Sequence, residues 1–173
     1  MRMRSDDVLA DGMGAGNHET NHIESPTWLT FTDADVYAFW YEDAHLALVR
    51  FRRDNERLLF VIGQQSQQGL HLSFPGRLFT DRVLDEIEPI FFAEVEEPGG
   101  QTEQLALGAY FRTGEAEYGA YYAPGTAALE VFLFRIDNTG SRPELTSLMG
   151  FEQEQAAALF VERYGHQLKL GEA

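Results

Sequence analysis

The sequence predicts an α+β fold, mainly antiparallel β-sheet, with one short and one longer helix, each closing one half of the chain. Three observations lead to this prediction. Apolar residues alternate with a period of two over most of the chain, short turns separate the alternating segments, and only two segments have helical periodicity. Strands joined by short turns pair antiparallel, because parallel pairing requires a long crossover connection.

The chain divides into a tail and one domain. Residues 1–26 form a polar, glycine-containing segment that ends at Pro26, and we expect a flexible N-terminal tail. Residues 27–173 are predicted to form a single domain with two halves, 27–89 and 90–173. Each half contains a run of strands followed by a helix. Sequence similarity between the halves is slight, so an internal duplication and a chance repetition of the same pattern both stay open.

Four strands and a short helix are predicted in the first half. The first strand, 35–42, is apolar on both faces, which indicates a central position in the sheet. The other strands are predicted at 45–52, 58–62 and 70–74. The helix is predicted over 80–88, with Thr80 as its N-cap and with Pro89 ending it.

The second half repeats this order. Its strands are predicted at 90–96, 105–111, 118–122 and 129–136. A longer helix is predicted over 152–164, because its apolar residues recur with helical spacing. Gly165 then lies where a C-terminal cap is expected.

Residues 115–164 resemble one small bacterial family. A charged turn is followed by a tyrosine-containing strand that ends in proline, a second strand that ends near arginine, and an acidic helix. The matching positions are Tyr118, Pro124, Phe132, Arg135 and the helix from Glu152. This pattern is similar to the YrzB-like acidic bacterial proteins of unknown function. The resemblance implies a small acidic cytoplasmic protein and assigns no chemistry to it.

Composition excludes several classes of function. The chain has 28 Asp and Glu against 13 Lys and Arg, which gives a net charge of −15. Such a surface repels phosphate, so we predict no binding of nucleic acid or of anionic membranes. The absence of cysteine excludes disulfides, thiolate zinc sites and cysteine nucleophiles. Because no secretory signal or membrane-spanning apolar run is visible, we expect a cytoplasmic protein.

One string in the tail matches a metal-binding motif. His18, Glu19 and His22 have the H-E-x-x-H spacing, in which two imidazoles bind zinc and the glutamate polarises a water molecule. The flanking residues are polar, and only Glu162 and His166 stand out as remote third ligands. We therefore interpret the three residues as weak metal candidates and predict no cofactor. A small metal-dependent hydrolase that uses them is an alternative function.

No catalytic residue set is predicted elsewhere in the sequence. Glu56, Glu86 and Glu88 could pair as a general acid and base, but any acidic protein allows such pairs. Enzymatic activity is therefore the less favoured interpretation.

Aromatic residues, 13% of the chain, cluster beside carboxylates in three predicted strands. Successive strand residues point to opposite sides, so some of these rings face outward or into a second layer. The clusters are Tyr37, Trp40 and Tyr41 beside Glu42 and Asp43; Phe91 and Phe92 beside Glu94, Glu96 and Glu97; and Tyr118, Tyr121 and Tyr122 beside Glu115 and Glu117. Aromatic anchors ringed by carboxylates are typical of an interface for a basic partner, whereas an ordinary core under an acidic shell is the alternative.

The leading prediction is a non-enzymatic acidic binding or accessory protein that engages a basic protein partner, as an inhibitor, immunity protein or chaperone. The predicted interface residues are Tyr37, Trp40, Tyr41, Glu94, Glu96, Glu97, Tyr118, Tyr121 and Tyr122. A self-associating structural domain, with outward aromatics buried in a homo-oligomer, is a further alternative.

Overall fold

The computed structural model describes residues 32–66, 69–125 and 130–168, which confirm the predicted α+β class. Nine strands in this part of the chain form one open, mostly antiparallel sheet. They are β1 (Ala34–Tyr41), β2 (Ala44–Phe51), β3 (Arg57–Ser66), β4 (Gly69–Ser73), β5 (Phe92–Glu96), β6 (Thr102–Thr113), β7 (Ala116–Tyr122), β8 (Phe132–Asp137) and β9 (Glu144–Ser147). The helices are α1 (Arg77–Ile87), a short 3-10 helix (Glu88–Ile90) and α2 (Gly150–Leu168).

The strand order is β4-β3-β2-β1-β6-β7-β8-β9, with β5 pairing with β6 off this path. The predicted central position of β1 is confirmed. The prediction of a mainly antiparallel sheet is confirmed, and among the described strands only β1 and β6 pair in parallel. These two strands belong to different halves, so the rule that short turns impose antiparallel pairing does not reach them.

Strand β6 is long enough to pair with two neighbours on one side. Its first residues pair antiparallel with β5, from Glu96↔Thr102 to Phe92↔Ala106. Further along, the parallel contact with β1 consists of Trp40↔Ala109 and Tyr41↔Tyr110. Strands β1 and β5 therefore share one side of β6.

The two helices cover opposite faces of the sheet. Trp40 and Tyr41 are consecutive in β1, so their side chains point to opposite faces. Tyr41 belongs to the apolar cluster that contains Val83 of α1. Trp40 packs against a second cluster, which contains Phe160 of α2. Both faces at the centre of the sheet are therefore covered.

The order of strands is symmetric about the β1–β6 contact. Four strands run outward from β1 to β4 before α1, and four run outward from β6 to β9 before α2. This symmetric order is compatible with an internal duplication, which stays open beside a chance repetition of the same pattern. The proposed division between residues 89 and 90 falls inside the 3-10 helix, and the tail 1–26 lies outside the described residues.

Several predicted boundaries were wrong at the helices. Helix α1 begins at Arg77 rather than after Thr80, because Gly76 adopts φ 98°, a conformation that favours glycine and allows an early turn into the helix. The hydroxyl of Thr80 donates to the Gly76 carbonyl (2.8 Å) within the first turn. Helix α2 continues to Leu168, so Gly165 is an interior residue and not a cap.

Strand β9 was not predicted. It has four residues, of which only Leu145 is a large apolar residue, so its alternation is too short to detect. It pairs with β8 at the edge of the sheet. The second half therefore contains five strands rather than four.

Candidate functional site

The first predicted cluster lies on β1 at the centre of the sheet. Tyr41 is only 6% exposed, whereas Tyr37 and Trp40 are half-buried. The ring of Trp40 stacks on His45 at 4.4 Å and contacts Tyr164 of α2 at 5.7 Å. Tyr41 is therefore a core residue, and the other two rings are partly engaged within the chain.

The third predicted cluster is also largely internal. Tyr118 is 5% exposed and Tyr121 is fully buried, whereas Tyr122 is half-buried. The hydroxyl of Tyr121 donates to the Ile90 carbonyl at 2.5 Å. Tyr118 packs in the cluster beneath α2. The interpretation of Tyr41, Tyr118 and Tyr121 as exposed anchors is corrected here, because a second layer covers each face of the sheet at these positions.

The acidic residues of the second cluster are exposed. Glu94 and Glu96 lie on β5, and Glu97 follows it. The rings beside them turn inward: Phe91 is buried in the main core cluster, and Phe92 packs against it. This strand thus presents carboxylates without an aromatic anchor.

The metal candidates His18, Glu19 and His22 lie outside the described residues. Within the parts of the chain that the structure describes, no group of three His, Asp or Glu residues could hold a metal ion.

The three glutamates considered as acid and base do not meet. Glu86 lines a pocket beside β6, Glu88 lines a second pocket beside β3, and Glu56 lines a third near Thr32. The described structure therefore does not bring these three glutamates into one site.

The pocket that contains Glu86 joins acidic groups from both halves of the chain, and we call it the acidic pocket. Helix α1 forms one wall, and β6, β7 and β8 form another, around a volume of about 330 Å³. Its polar lining residues are Asp85, Glu86, Tyr110, Arg112, Glu117 and Asn138. The pocket was missed because its carboxylates are distant in the sequence and resemble any solvated acidic surface.

Two stacked tyrosines carry their hydroxyls toward these carboxylates. The rings of Tyr41 and Tyr110 are 5.1 Å apart and nearly parallel. The Tyr110 hydroxyl donates to Glu117 Oε1 at 2.8 Å. The Tyr41 hydroxyl is buried and makes no well-directed hydrogen bond within the described structure. Burial, and then its interaction with Glu86, raise the pKa of Tyr41 to about 12.

One oxygen of Glu117 is occupied and the other is available. Its Oε1 accepts from Tyr110 and also from Asn138 Nδ2, at 2.9 Å. No described side chain donates to its Oε2. Two donors on one oxygen fix the orientation of the carboxylate, so the second oxygen is presented to a ligand without further ordering.

The one basic residue of the pocket is bonded to a carboxylate outside it. Arg112 Nε donates to Glu42 Oε2 at 2.9 Å, and this hydrogen bond raises the pKa of the guanidinium. Glu42 also pairs through Oε1 with Arg163 of α2 at 3.2 Å. Glu42 is thus shared by two guanidinium groups and compensates Arg112 only in part. The pocket is acidic because three carboxylates, those of Asp85, Glu86 and Glu117, outnumber its one guanidinium.

Comparison of the chain with protein-family models, with curated proteins and with solved structures gives no match. The resemblance of residues 115–164 to the YrzB-like proteins stays a prediction. Neither helix in the described residues is long and apolar enough to cross a membrane.

Proposed function

We propose that this chain is a non-enzymatic acidic binding protein that engages a basic protein partner in the cytoplasm, as an inhibitor, immunity protein or chaperone. The observation that supports this function best is the convergence of three carboxylates on the acidic pocket. Because these three carboxylates outnumber Arg112, which is also bonded to Glu42, the pocket keeps an excess of negative charge that attracts a cation. A lysine or arginine side chain of the partner would occupy the pocket.

The chain itself illustrates how a guanidinium is held here. The Arg112 guanidinium lies over the Tyr110 ring at 5.5 Å and donates a hydrogen bond to the carboxylate of Glu42. A partner arginine would bond to the preoriented Glu117 oxygen, because the buried Tyr110 ring, which lies between Tyr41 and Arg112, has no free face. The planar fork of a guanidinium matches the geometry of a carboxylate, which favours an arginine over a simple metal cation.

The net charge adds long-range attraction to this local recognition. A charge of −15 steers a basic protein toward the surface and raises the association rate. Steering is screened by salt, whereas a contact inside the pocket is screened less. Binding is therefore expected to weaken with salt mainly through slower association.

The proposal can be tested with two variants of equal charge. The first carries Asp85→Asn, Glu86→Gln and Glu117→Gln in the pocket. The second carries Glu94→Gln, Glu96→Gln and Glu97→Gln on the exposed β5 surface. The probe is a fluorescent peptide of alternating arginine and glycine, followed by anisotropy at low and moderate salt.

We expect the pocket variant to bind the peptide at least about tenfold more weakly than the β5 variant, since charge-assisted hydrogen bonds are lost only there. Equal weakening in both variants would mean that the peptide senses only overall charge. Circular dichroism of both variants checks that the sheet is retained. The same pair of variants then decides, in affinity capture from a lysate, whether a retained basic protein depends on the pocket.

A further inference from the structure

A second pocket has the opposite character. Glu88 and Pro89, which directly follow α1, form one wall of this pocket. The pocket extends over β2, β3 and the start of β5 and has a volume of about 380 Å³. It shares no lining residue with the acidic pocket. We call it the arginine pocket, after Arg50 and Arg57, which stand directly opposite each other in the β2–β3 pairing.

The two arginines are compensated unequally. Arg57 forms an ion pair with Glu88 at the end of α1. Arg50 lies over the ring of Phe92, at 5.0 Å, and no carboxylate in the described structure ion-pairs with it. Asp35 faces Arg50 across the β1–β2 pairing, but it is bonded to Arg52 at 2.6 Å.

Like charges in directly opposite strand positions repel each other unless an anion lies between them. Glu88 supplies one such charge, so the pocket retains a single uncompensated positive charge, that of Arg50. In a chain of net charge −15, this half-buried guanidinium remains available to a ligand rather than to a neighbouring carboxylate.

The remaining walls of the pocket are mostly apolar. Leu48, Pro89, Phe91 and Phe92 line it, and Asn55 contributes an amide. A volume near 380 Å³ lies within the usual range of small-molecule sites. One fixed cation above an aromatic and aliphatic surface suits a ligand with one negative charge and an apolar body.

We propose that the arginine pocket binds an amphipathic monocarboxylate, with the carboxylate on Arg50 and the apolar part against Phe91 and Phe92. The planar guanidinium pairs with a carboxylate through two parallel hydrogen bonds. A dianionic phosphate is disfavoured, because Glu88 lies at the same wall and repels the second charge. The carboxylate belongs either to a small organic acid or to the C-terminus of a peptide.

The test uses benzoate as the probe and benzylammonium as its charge-reversed control of similar shape. Titrations of the ¹⁵N-labelled full chain are followed by NMR. We expect benzoate to shift the amide signals of Asn55 and Phe92 in a saturable manner, and benzylammonium to leave them in place. N-acetylphenylalanine, which mimics a peptide C-terminus, distinguishes the two sources: tighter binding than benzoate assigns a peptide, and weaker binding assigns a small acid.

Variants of equal charge locate the binding residue. Arg50→Gln is expected to lower benzoate affinity at least about tenfold, because a charge-assisted pair is lost. Arg77→Gln, on the exposed first turn of α1, is the matched control and should leave the affinity unchanged. Arg52→Gln should also weaken binding, since it releases Asp35 to neutralise Arg50 from outside the pocket.

Three results would overturn the proposal. They are no saturable shift by benzoate, equal shifts by benzylammonium, and unchanged benzoate affinity in Arg50→Gln. Because Arg52→Gln leaves every pocket residue in place, it separates loss of the site from a folding defect in Arg50→Gln. The acidic pocket and its peptide assay are unaffected by any of these outcomes.

Discussion

The hydrogen bond between Tyr121 and Ile90 links β7 to the 3-10 helix that follows α1, and we predict that Tyr121→Phe destabilises the fold. Tyr121 is fully buried, and its hydroxyl donates to the Ile90 carbonyl at 2.5 Å. Ile90 itself is only 3% exposed, so water cannot easily replace the hydroxyl. Phenylalanine keeps the ring and its packing, so the substitution removes little besides this bond.

The expected loss follows from the two groups involved. A typical intramolecular hydrogen bond contributes about 1 kcal/mol net, and a buried carbonyl left without its donor costs about 1–3 kcal/mol. We therefore expect Tyr121→Phe to lower the free energy of unfolding by about 2 kcal/mol. For a chain of this size, that loss corresponds to a fall in Tm of about 4–8 °C.

Urea denaturation and thermal melting measure this loss, with Tyr122→Phe as the matched control. Tyr122 lies next in the same strand, and its hydroxyl makes no hydrogen bond in the described structure. The control should change stability by less than about 0.5 kcal/mol, with no change in the denaturant slope of either variant. If both variants had the same stability, the Tyr121–Ile90 bond would contribute nothing and the reasoning would be refuted.

Three further predictions concern other contacts. Burial raises the pKa of all seven tyrosines above 10, to about 12 in two of them. Because the unfolded chain loses these protons at lower pH, the free energy of unfolding is fully retained below pH 10 and falls as the pH rises toward 12. Tyrosinate absorbance should therefore appear at higher pH in the native protein than in denaturant, and coincident titrations would contradict this. Glu42→Gln weakens the ion pairs with β6 and α2 and should lower stability by about 1 kcal/mol at low salt and less at high salt, by urea denaturation; a salt-independent loss would exclude an ionic role. Gly119→Ala places a Cβ 2.7 Å from the buried Tyr121 ring and should cost about 1–3 kcal/mol in the same assay, whereas Gly140→Ala, with 3.8 Å to its nearest neighbour, should be near neutral.

The fold could be predicted where patterns are local. Alternation and turn residues located eight of the described strands, and helical spacing located both helices. The parallel contact between β1 and β6 could not be predicted, because it joins distant segments through two residue pairs. Strand β9 was not predicted because Leu145 is its only large apolar residue, so no alternation is visible. The start of α1 was missed because the positive φ of Gly76 leaves no periodic pattern in the sequence.

The site was predicted less well than the fold. The sequence placed carboxylates beside tyrosines, and Glu117 and Tyr118 were in one such cluster. Which rings lie inside depends on what covers each face of a strand, and the helices cover both faces here. The acidic pocket depends on the approach of α1 to β6 and β7, so Glu86 and Glu117 carried no signal of their proximity.

The narrow contact between β1 and β6 has a consequence for folding kinetics. All the other pairings of the described strands join neighbours in the chain, and such pairs close quickly because little loop entropy is lost. The two parallel residue pairs that join the halves require the longest loop and are therefore expected to form late. Until then, both central strands present unpaired edges, which are templates for pairing with another molecule. Refolding yield should consequently fall as the protein concentration during refolding rises, with exchanged dimers as the side product.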